Sequence, residues 1–293
     1  MLAAYFADTN SAWPTWLAAL ATAGGCAALS PIIVAKRWAF VSEGIGHSAY
    51  GGAGVVWLLA VLLPAADVLR GYGAVIVAAG LAAMVTALLI GYLQRRAGHT
   101  GLGFDTATGV VLTASLAMGF FAQSIFAGKY GGTPMAATSL LFGSSVRVTT
   151  EAGLAALGVT SAVIAGLLLF RREVLSWTLD ADGATLQGVP GAAVQYGLLV
   201  ALAATVALGA QLVGAVLVTA LLVVPGAAAT LVGRQMQHVW LLSTAAALVA
   251  MLGGLGMQTI SPAVPLGPAV VGMLVLEFVV ALTAQRLLIS EAA

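Results

Sequence analysis

The chain has 293 residues, of which 61% are hydrophobic and only 7% are charged, with a formal net charge of +1 at pH 7. A soluble domain carries about 25% charged residues, so this composition excludes a water-soluble protein and places the chain in a bilayer. Its continuous apolar runs of about 20 residues exclude a transmembrane β-barrel, whose strands alternate polar and apolar residues. The near-zero charge gives no sign of a nucleic-acid partner, and none is expected.

The apolar runs predict an all-α polytopic membrane protein with a single transmembrane domain over residues 1–293. Nine spans are predicted, at 13–34, 39–63, 73–93, 104–127, 152–170, 192–212, 213–233, 239–258 and 265–286. Only "AQLVGA" separates spans six and seven, so one bent element there, and a total of eight spans, stays open. The N-terminus lacks the basic region of a signal peptide, so the first span is expected to remain in the mature protein. Cys26 is expected to pack as a small apolar residue.

The basic residues predict the orientation. With the N-terminus outside, 8 of the 11 lysines and arginines fall on the inner side and 3 on the outer side. Because inner loops of membrane proteins are enriched in lysine and arginine, this orientation is favoured, and nine spans then place the C-terminus in the cytoplasm.

Two connections are long enough to have their own structure. The predicted outer segment 128–151 contains "SLLFGSSV", a candidate half-helix or interfacial helix. The predicted inner segment 171–191 is polar and has a helical pattern around "DADGATLQ", where Asp180 or Asp182 is a candidate N-cap. A short cytoplasmic helix between two spans is a place where a soluble partner can push, and a solvated loop is the alternative.

Span two carries an acid and a histidine, Glu43 and His47, in "VSEGIGHSAYGG". Residues four apart share a helix face, and at 1.5 Å per residue His47 is roughly 12–15 Å deep in the membrane. A buried charge there costs at least about 2.5–3.5 kcal/mol, so it usually faces a pathway or a partner. Carboxylate and imidazole bind zinc, manganese and iron, and two donors suit a transient station better than a closed site. A helix-stabilising Glu–His contact, or a histidine satisfied by a carbonyl, is the alternative.

The same span is rich in glycine, which allows another helix or a second subunit to approach closely. The glycines are Gly44, Gly46, Gly51, Gly52 and Gly54.

Other polar residues lie within or beside the predicted spans. Glu277, halfway along span nine, is a candidate third ligand, proton acceptor or structural hydrogen-bonding group. Asp105 begins span four and is interpreted as an N-cap. Gln211 is a candidate for lining a pore or bonding across helices, and Pro225 is expected to kink its helix.

The sequence contains no catalytic set and no G-x-x-x-x-G-K-[ST] phosphate loop, so we predict that the chain is not an enzyme. Its two lysines, Lys36 and Lys129, lack that context. Any use of ATP would therefore need a nucleotide site on another chain.

The chain contains four stretches in this order: "SEGIGHSAYGG", "FDTATGVVLTASLAMG", "LLFGS", and "LDADGATLQGVP" followed by "AQLVGAVLVTALLVVPGAAATLV". Together they resemble the permeases of zinc and manganese ABC importers, the ABC-3 family. The resemblance covers residues 42–233 and implies a type II ABC importer-like permease of eight or nine helices in the bacterial inner membrane.

The resemblance also implies partners and roles. A second copy of the permease would enclose a central path, and an extracytoplasmic solute-binding protein would deliver the ion. Cytoplasmic ATPase subunits would dock on the coupling loop 171–191, at the family-like positions Asp180, Asp182, Ala184 and Gly188. Glu43 and His47 match the family's metal-contacting acid and histidine, although the acid is usually Asp. Where the family often has Pro-Gly after the histidine, this chain has "YGG".

The resulting hypothesis is alternating access driven by ATP, with Glu43 and His47 gating the passage of zinc foremost, or of manganese or iron. The transported ion is the only metal expected, with no permanently bound cofactor. The alternatives are a proton-coupled secondary transporter that uses Glu43, His47 and Glu277, an ABC permease for a metal chelate such as a siderophore or haem, and an anchoring membrane protein without a pathway.

Overall fold

The computed structural model of the chain describes residues 9–63, 67–100, 104–132, 148–261 and 264–290. All regular structure in these ranges is helical, as expected where lipid leaves backbone N–H and C=O groups no water to bond. The helices are α1 (Thr9–Ala35), α2 (Ala39–Leu62), α3 (Tyr72–Thr100), α4 (Phe104–Tyr130), α5 (Thr150–Leu169), α6 (Arg171–Leu179), α7 (Ala181–Leu186), α8 (Gly191–Leu212), α9 (Ala215–Val232), α10 (Met236–Ile260) and α11 (Leu266–Ser290), with a 3-10 turn at Asp67–Arg70.

Nine of the described helices, α1 to α5 and α8 to α11, are long and apolar enough to cross a membrane. Each overlaps one predicted span, so the prediction of an all-α membrane fold is confirmed. The doubtful break is real, because α8 ends at Leu212 and the chain turns at Gly214, whose φ of 94° suits a glycine. The predicted outer piece "SLLFGSSV", residues 139–146, lies outside the described residues.

The contacts divide the chain into two compact units. The first comprises Met1–Ala39, Ser145–Asp180 and Leu217–Ala293, and the second comprises Phe40–Ser144 and Ala181–Val216.

In the first unit, α1 is the central helix, with α5 and α10 packed against it and α11 packed on α10. Small residues set the spacing to α5, since a Cβ at Gly153 would lie 3.0 Å from the Pro14 carbonyl oxygen. A side chain fixes α10, whose Trp240 Nε1 donates to the Ala28 carbonyl oxygen at 2.9 Å. Close backbone approach and bonds to carbonyls replace the hydrophobic drive that lipid removes.

Pro225 lies inside α9, as expected, and the residue after it bonds to another helix. Proline has no N–H and its ring disturbs the preceding turn, which leaves backbone groups in need of partners. The Gly226 N–H donates to the Ser30 hydroxyl of α1 at 2.8 Å, and Ser30 is completely buried. A Cβ at Gly226 would lie 2.5 Å from that hydroxyl oxygen, so only glycine fits this crossing.

In the second unit, α2 packs closely against both α3 and α4. A Cβ at Gly52 would lie 2.5 Å from the Ala78 carbonyl oxygen of α3, and a Cβ at Gly54 would lie 2.8 Å from the Gly119 Cα of α4. The prediction that glycines of span two admit a neighbouring helix is confirmed.

Aromatic and polar side chains fill the rest of this unit. The buried Tyr50 packs its ring edge-on against Trp57 at 5.7 Å and donates its hydroxyl hydrogen to Gln123 of α4. Between α3 and α8, Gln195 Nε2 donates to Gln94 Oε1 at 2.6 Å.

The C-terminal end of α2 is capped by α4. Lys129 Nζ donates to the Val61 carbonyl oxygen at 2.6 Å, and the Tyr130 hydroxyl donates to the Ala60 carbonyl oxygen at 3.0 Å. These carbonyls belong to the last turn of α2 and have no partner within the helix, so the cation and the hydroxyl satisfy them.

Candidate functional site

The position of the acid and the histidine is set by the turn that precedes α2. Arg37 adopts a left-handed conformation with φ of 57°, and its N–H donates to the Val34 carbonyl oxygen at 3.1 Å. The Trp38 N–H donates to the Ile33 carbonyl oxygen at 2.8 Å, which completes a Schellman ending for α1. This ending terminates α1, and α2 starts at Ala39.

Glu43 and His47 lie on the least buried side of α2 within the described residues. Every residue from 41 to 54 is buried except these two, which are half-buried. This more exposed side is here called the open stripe, and its members recur at helical spacings of three, four, eight and seven residues: Phe40, Glu43, His47, Val55 and Leu62. The predicted common face is confirmed, and it points away from the packed interior of the chain.

The His47 ring is held by its own helix. Its Nδ1 lies 3.0 Å from the Glu43 main-chain carbonyl oxygen. A carbonyl oxygen only accepts, so Nδ1 is the donor in this contact, and in the neutral tautomer with the hydrogen on Nδ1 the lone pair is on Nε2. This is the arrangement of a metal-binding histidine, whose second nitrogen is oriented by a hydrogen bond to a carbonyl. The alternative of a histidine satisfied by a carbonyl is therefore correct for Nδ1 and leaves Nε2 available.

This hydrogen bond uses the main-chain carbonyl of Glu43. The Glu43 carboxylate is left on the open stripe as a second potential metal ligand beside His47 Nε2. Across the ranges that the structure describes, no group of three or more His, Cys, Asp or Glu side chains comes together to hold a metal ion. Two donors from one chain fall short of the four that a closed zinc site requires. The pair can therefore contact an ion in passing, or share it with ligands from elsewhere.

The other predicted polar residues lie apart from this pair in the chain. Glu277 is half-buried in the middle of α11, and within the described residues its Oε2 is buried without a hydrogen-bond partner. Gln211 is half-buried in the last turn of α8. Asp105 is exposed in the first turn of α4, which begins at Phe104, so it lies inside the helix and not at the predicted N-cap.

The predicted coupling loop contains two helices, where the sequence indicated one. The expected short helix is α7, which begins directly after Asp180 and has Asp182 in its first turn. Before it lies α6, a nine-residue helix with only Val174, Trp177 and Thr178 buried. Their spacing of three and four residues was the available signal for α6, but its polar composition concealed it.

Ala184 and Gly188 shape the end of α7. Gly188 has φ of 84°, its N–H donates to the Thr185 carbonyl oxygen at 3.0 Å, and the Val189 N–H donates to the Ala184 carbonyl oxygen at 3.0 Å. This is a Schellman ending with glycine at the left-handed position. Ala184 is buried, whereas the neighbouring Leu186 is 90% exposed. The loop thus presents an apolar side chain on a short, well-terminated helix.

A contact that the sequence did not predict joins α6 to the end of α1. Lys36 Nζ donates to the Trp177 carbonyl oxygen at 2.6 Å and lies 4.0 Å from the centroid of the Trp177 ring. Trp38 packs against the same ring, with centroids 5.9 Å apart. Lys36 and Trp177 are 141 residues apart, so no local pattern pointed to their contact.

The family model described as "ABC 3 transport family" matches residues 9–285 of this chain. The match covers nearly the whole chain and contains α1 to α10 completely.

Curated relatives carry names from iron, manganese and zinc transport. The "Chelated iron transport system membrane protein YfeD" of Yersinia pestis is 28% identical over 91% of this chain and 82% of its own. The "Manganese transport system membrane protein MntC" of Halalkalibacterium halodurans is 25% identical over 78% of this chain and 72% of its own. The "High-affinity zinc uptake system membrane protein ZnuB" of Buchnera aphidicola is 24% identical over 86% of this chain and 90% of its own.

A solved structure shares the fold. "PsaBC from Streptococcus pneumoniae in complex with Fab" aligns with a TM-score of 0.75 and 22% identity, over 96% of this chain and 95% of that chain. At this identity the likeness establishes the helical arrangement and not the cargo.

Proposed function

Since the chain belongs to the ABC 3 transport family, as the membrane-spanning permease of a metal ABC importer, we propose that it carries a divalent ion, zinc foremost, past a gate formed by Glu43 and His47. One observation carries the proposal of the gate. The only half-buried residues in the stretch 41–54 of α2 are an acid and a histidine whose Nε2 lone pair is available.

Zinc is the leading cargo because a neutral imidazole and a carboxylate are ordinary zinc ligands and zinc needs no redox control. Manganese and iron accept the same donors, and selectivity among them in cells follows geometry and availability more than affinity. Glutamate is one methylene longer than the aspartate usual in the family. The position of the oxygen donor relative to His47 Nε2 is therefore the feature of this chain on which metal preference depends.

A second copy of the permease completes the gate in this proposal. The open stripe leaves Glu43 and His47 uncovered beside apolar side chains, and two copies facing each other would bring four donors together. The stripe members Phe40 and Leu62 are 55% and 65% exposed, so a facing copy would also bury apolar surface at the two ends of α2.

The driving force comes from partner subunits. The chain has no phosphate loop, so cytoplasmic ATPase subunits would supply nucleotide chemistry and dock on α7. Asp182 and Leu186 of α7, and Asp180 directly before it, are exposed. Their movement would open the path alternately to the two sides of the inner membrane. An extracytoplasmic solute-binding protein would deliver the ion on the side where the N-terminus is predicted to lie.

A chelate is the second candidate cargo, because one relative is named for chelated iron transport. The paired donors favour a bare ion, since a chelated metal already has its ligands. The proton-coupled alternative loses its basis, because the family is one of ABC transporters.

The test is ATP-driven uptake by the permease reconstituted with its ATPase subunits and binding protein in liposomes. Zn²⁺, Mn²⁺, Fe²⁺ and a ferric chelate compete in the same assay. Glu43→Gln and His47→Ala should each reduce Zn²⁺ import about 10-fold or more, because a metal ligand is at least as sensitive as the groups that orient it.

Matched controls lie on exposed helix ends. His238→Ala in the first turn of α10 and Glu151→Gln in the first turn of α5 remove the same side-chain types outside the open stripe, and they should import at the wild-type rate. Native import by both Glu43→Gln and His47→Ala, in complexes that assemble normally, would show that the pair is not the gate.

A further inference from the structure

The chain leaves the first unit at two places that the same cluster of side chains holds together. It passes from Ala39 to Phe40 at the start of α2, and from Asp180 to Ala181 at the start of α7. Trp38 lies one residue before the first of these points, and Trp177 lies three residues before the second. Their rings are in contact, with centroids 5.9 Å apart and planes inclined by 58°.

Lys36 contacts Trp177 of this cluster in two ways. Its Nζ reaches the Trp177 carbonyl oxygen at 2.6 Å and lies 4.0 Å from the centre of the Trp177 ring. The carbonyl belongs to the last turn of α6, where the partial negative charge of the helix attracts a cation. The same ammonium therefore makes a charge-assisted hydrogen bond and a cation–π contact with one residue.

The two rings of the cluster are buried. Trp38 is 2% exposed and Trp177 is 8% exposed, so the contact between the rings is shielded from water. Attraction between a cation and a negative partial charge is stronger where water is excluded, because the local dielectric constant is lower. A displacement at the end of α6 would therefore be passed to the turn between α1 and α2.

The two chain segments that leave the cluster carry the two functional parts of the permease. One is α2, in which Glu43 is the fifth residue and lies five residues beyond Trp38. The other is α7, which begins four residues beyond Trp177 and on which the ATPase subunits dock in the proposed function.

We propose that Lys36, Trp38 and Trp177 are positioning residues for transport, which couple displacement of α7 by the ATPase subunits to the helix that bears Glu43 and His47. The inference rests on the proposed ATP-driven import. The cluster contacts no ion and acts only by keeping the start of α2 in register with the end of α6. Without it, nucleotide hydrolysis and movement of the gate become separable.

The test is the ratio of ATP hydrolysed to Zn²⁺ imported, measured with the reconstituted complex of permease, ATPase subunits and binding protein. Lys36→Met and Trp177→Leu should hydrolyse ATP while importing less Zn²⁺, so that the ratio rises about 10-fold, as expected when a coupling contact is lost. Lys36→Arg retains the cation and a donor, and it should keep the ratio near the wild-type value.

The chain contains its own matched control in its only other lysine. Lys129 also donates to a main-chain carbonyl at 2.6 Å and lies 5.6 Å from the centroid of an aromatic ring, but at the opposite end of α2. Lys129→Met should therefore leave the coupling ratio unchanged, even where it lowers stability. If lysine–carbonyl contacts had only a structural role, Lys36→Met and Lys129→Met would change the coupling ratio to the same extent.

A measurement on the unaltered complex covers the case in which the variants fail to assemble. Addition of a non-hydrolysable ATP analogue should change the hydrogen-exchange rates of residues 171–179 and of residues 37–42 together. A change in α6 without one in the turn before α2 would overturn the inference, as would a normal coupling ratio in both Lys36→Met and Trp177→Leu. Absence of ATP-dependent Zn²⁺ import by the wild-type complex would contradict the proposed function instead.

Discussion

At the scale of single residues, glycines in α2 determine how closely α3 and α4 approach. Gly52 and Gly54 lie so close to main-chain atoms of α3 and α4 that a Cβ at either position would overlap them. Dispersion contacts and weak main-chain interactions hold helices together in lipid, where apolar burial contributes little. The same close approach buries the rest of α2 and leaves Glu43 and His47 on its open side.

Gly52→Ala is therefore expected to reduce the stability of the folded permease by about 1–3 kcal/mol, the usual penalty of overpacking. The new methyl group would lie 2.5 Å from both the Ala78 carbonyl oxygen and the Ala82 Cβ. Unfolding in detergent, followed by circular dichroism against denaturant, measures the change. Gly109→Ala in α4 is the control, since a Cβ there meets nothing within 4 Å. Equal stability of the two variants would contradict the argument.

At the scale of helices, Pro225 creates a need in α9 for a hydrogen-bond partner from α1. An interior proline leaves the surrounding backbone with fewer partners, and in lipid no water replaces them. The Ser30 hydroxyl accepts the Gly226 N–H and so provides one partner from the neighbouring helix. The crossing is fixed both by this bond and by the lack of a side chain at Gly226.

Ser30→Ala should lower the free energy of unfolding by about 1–3 kcal/mol, because a buried N–H loses its acceptor. The matched control is Ser48→Ala, which removes another buried serine whose hydroxyl donates only to the Ile45 carbonyl oxygen of its own helix. Chemical denaturation in detergent compares the two. If Ser48→Ala lowered the free energy of unfolding as much as Ser30→Ala, the hydrogen bond between α1 and α9 would contribute no more than a bond within one helix.

At the scale of the whole molecule, the open stripe of α2 is a surface that one chain leaves incomplete. It combines two ionisable side chains with exposed apolar ones, and charges in lipid usually face a pathway or a partner. A second copy facing the stripe accounts for both kinds of residue. Lipid alone accounts for Val55 and Leu62 but not for Glu43 and His47.

Cysteine cross-linking distinguishes these two surroundings. Val55→Cys, in a Cys26→Ala background, should form a disulfide-linked dimer in membranes under mild oxidation, because the stripes of two copies face each other in the proposed dimer. Val77→Cys on α3 is equally apolar and 61% exposed, against 47% for Val55, and should stay monomeric. Electrophoresis without reductant reads the outcome. Equal cross-linking at both positions, or none at Val55→Cys, would count against the facing copies.

The sequence alone determined the positions of the spans, because each helix in lipid needs about 20 apolar residues and such runs are visible without packing. It left open whether the runs at 192–212 and 213–233 form one bent element or two helices, and the turn at Gly214 decided for two. It also placed Glu43 and His47 on one face, because helical spacing is local. It did not reveal α6, a nine-residue helix of mixed composition whose few buried residues form a weak pattern.

Only the tertiary structure decided which face of α2 stays open, because that depends on how closely α3 and α4 approach at Gly52 and Gly54. It alone brought Lys36 to Trp177, across 141 residues of chain. The physical reason is the same in both cases. Helix formation follows from bonds between neighbours four residues apart, whereas the packing of helices in lipid depends on contacts between distant segments that no local pattern records.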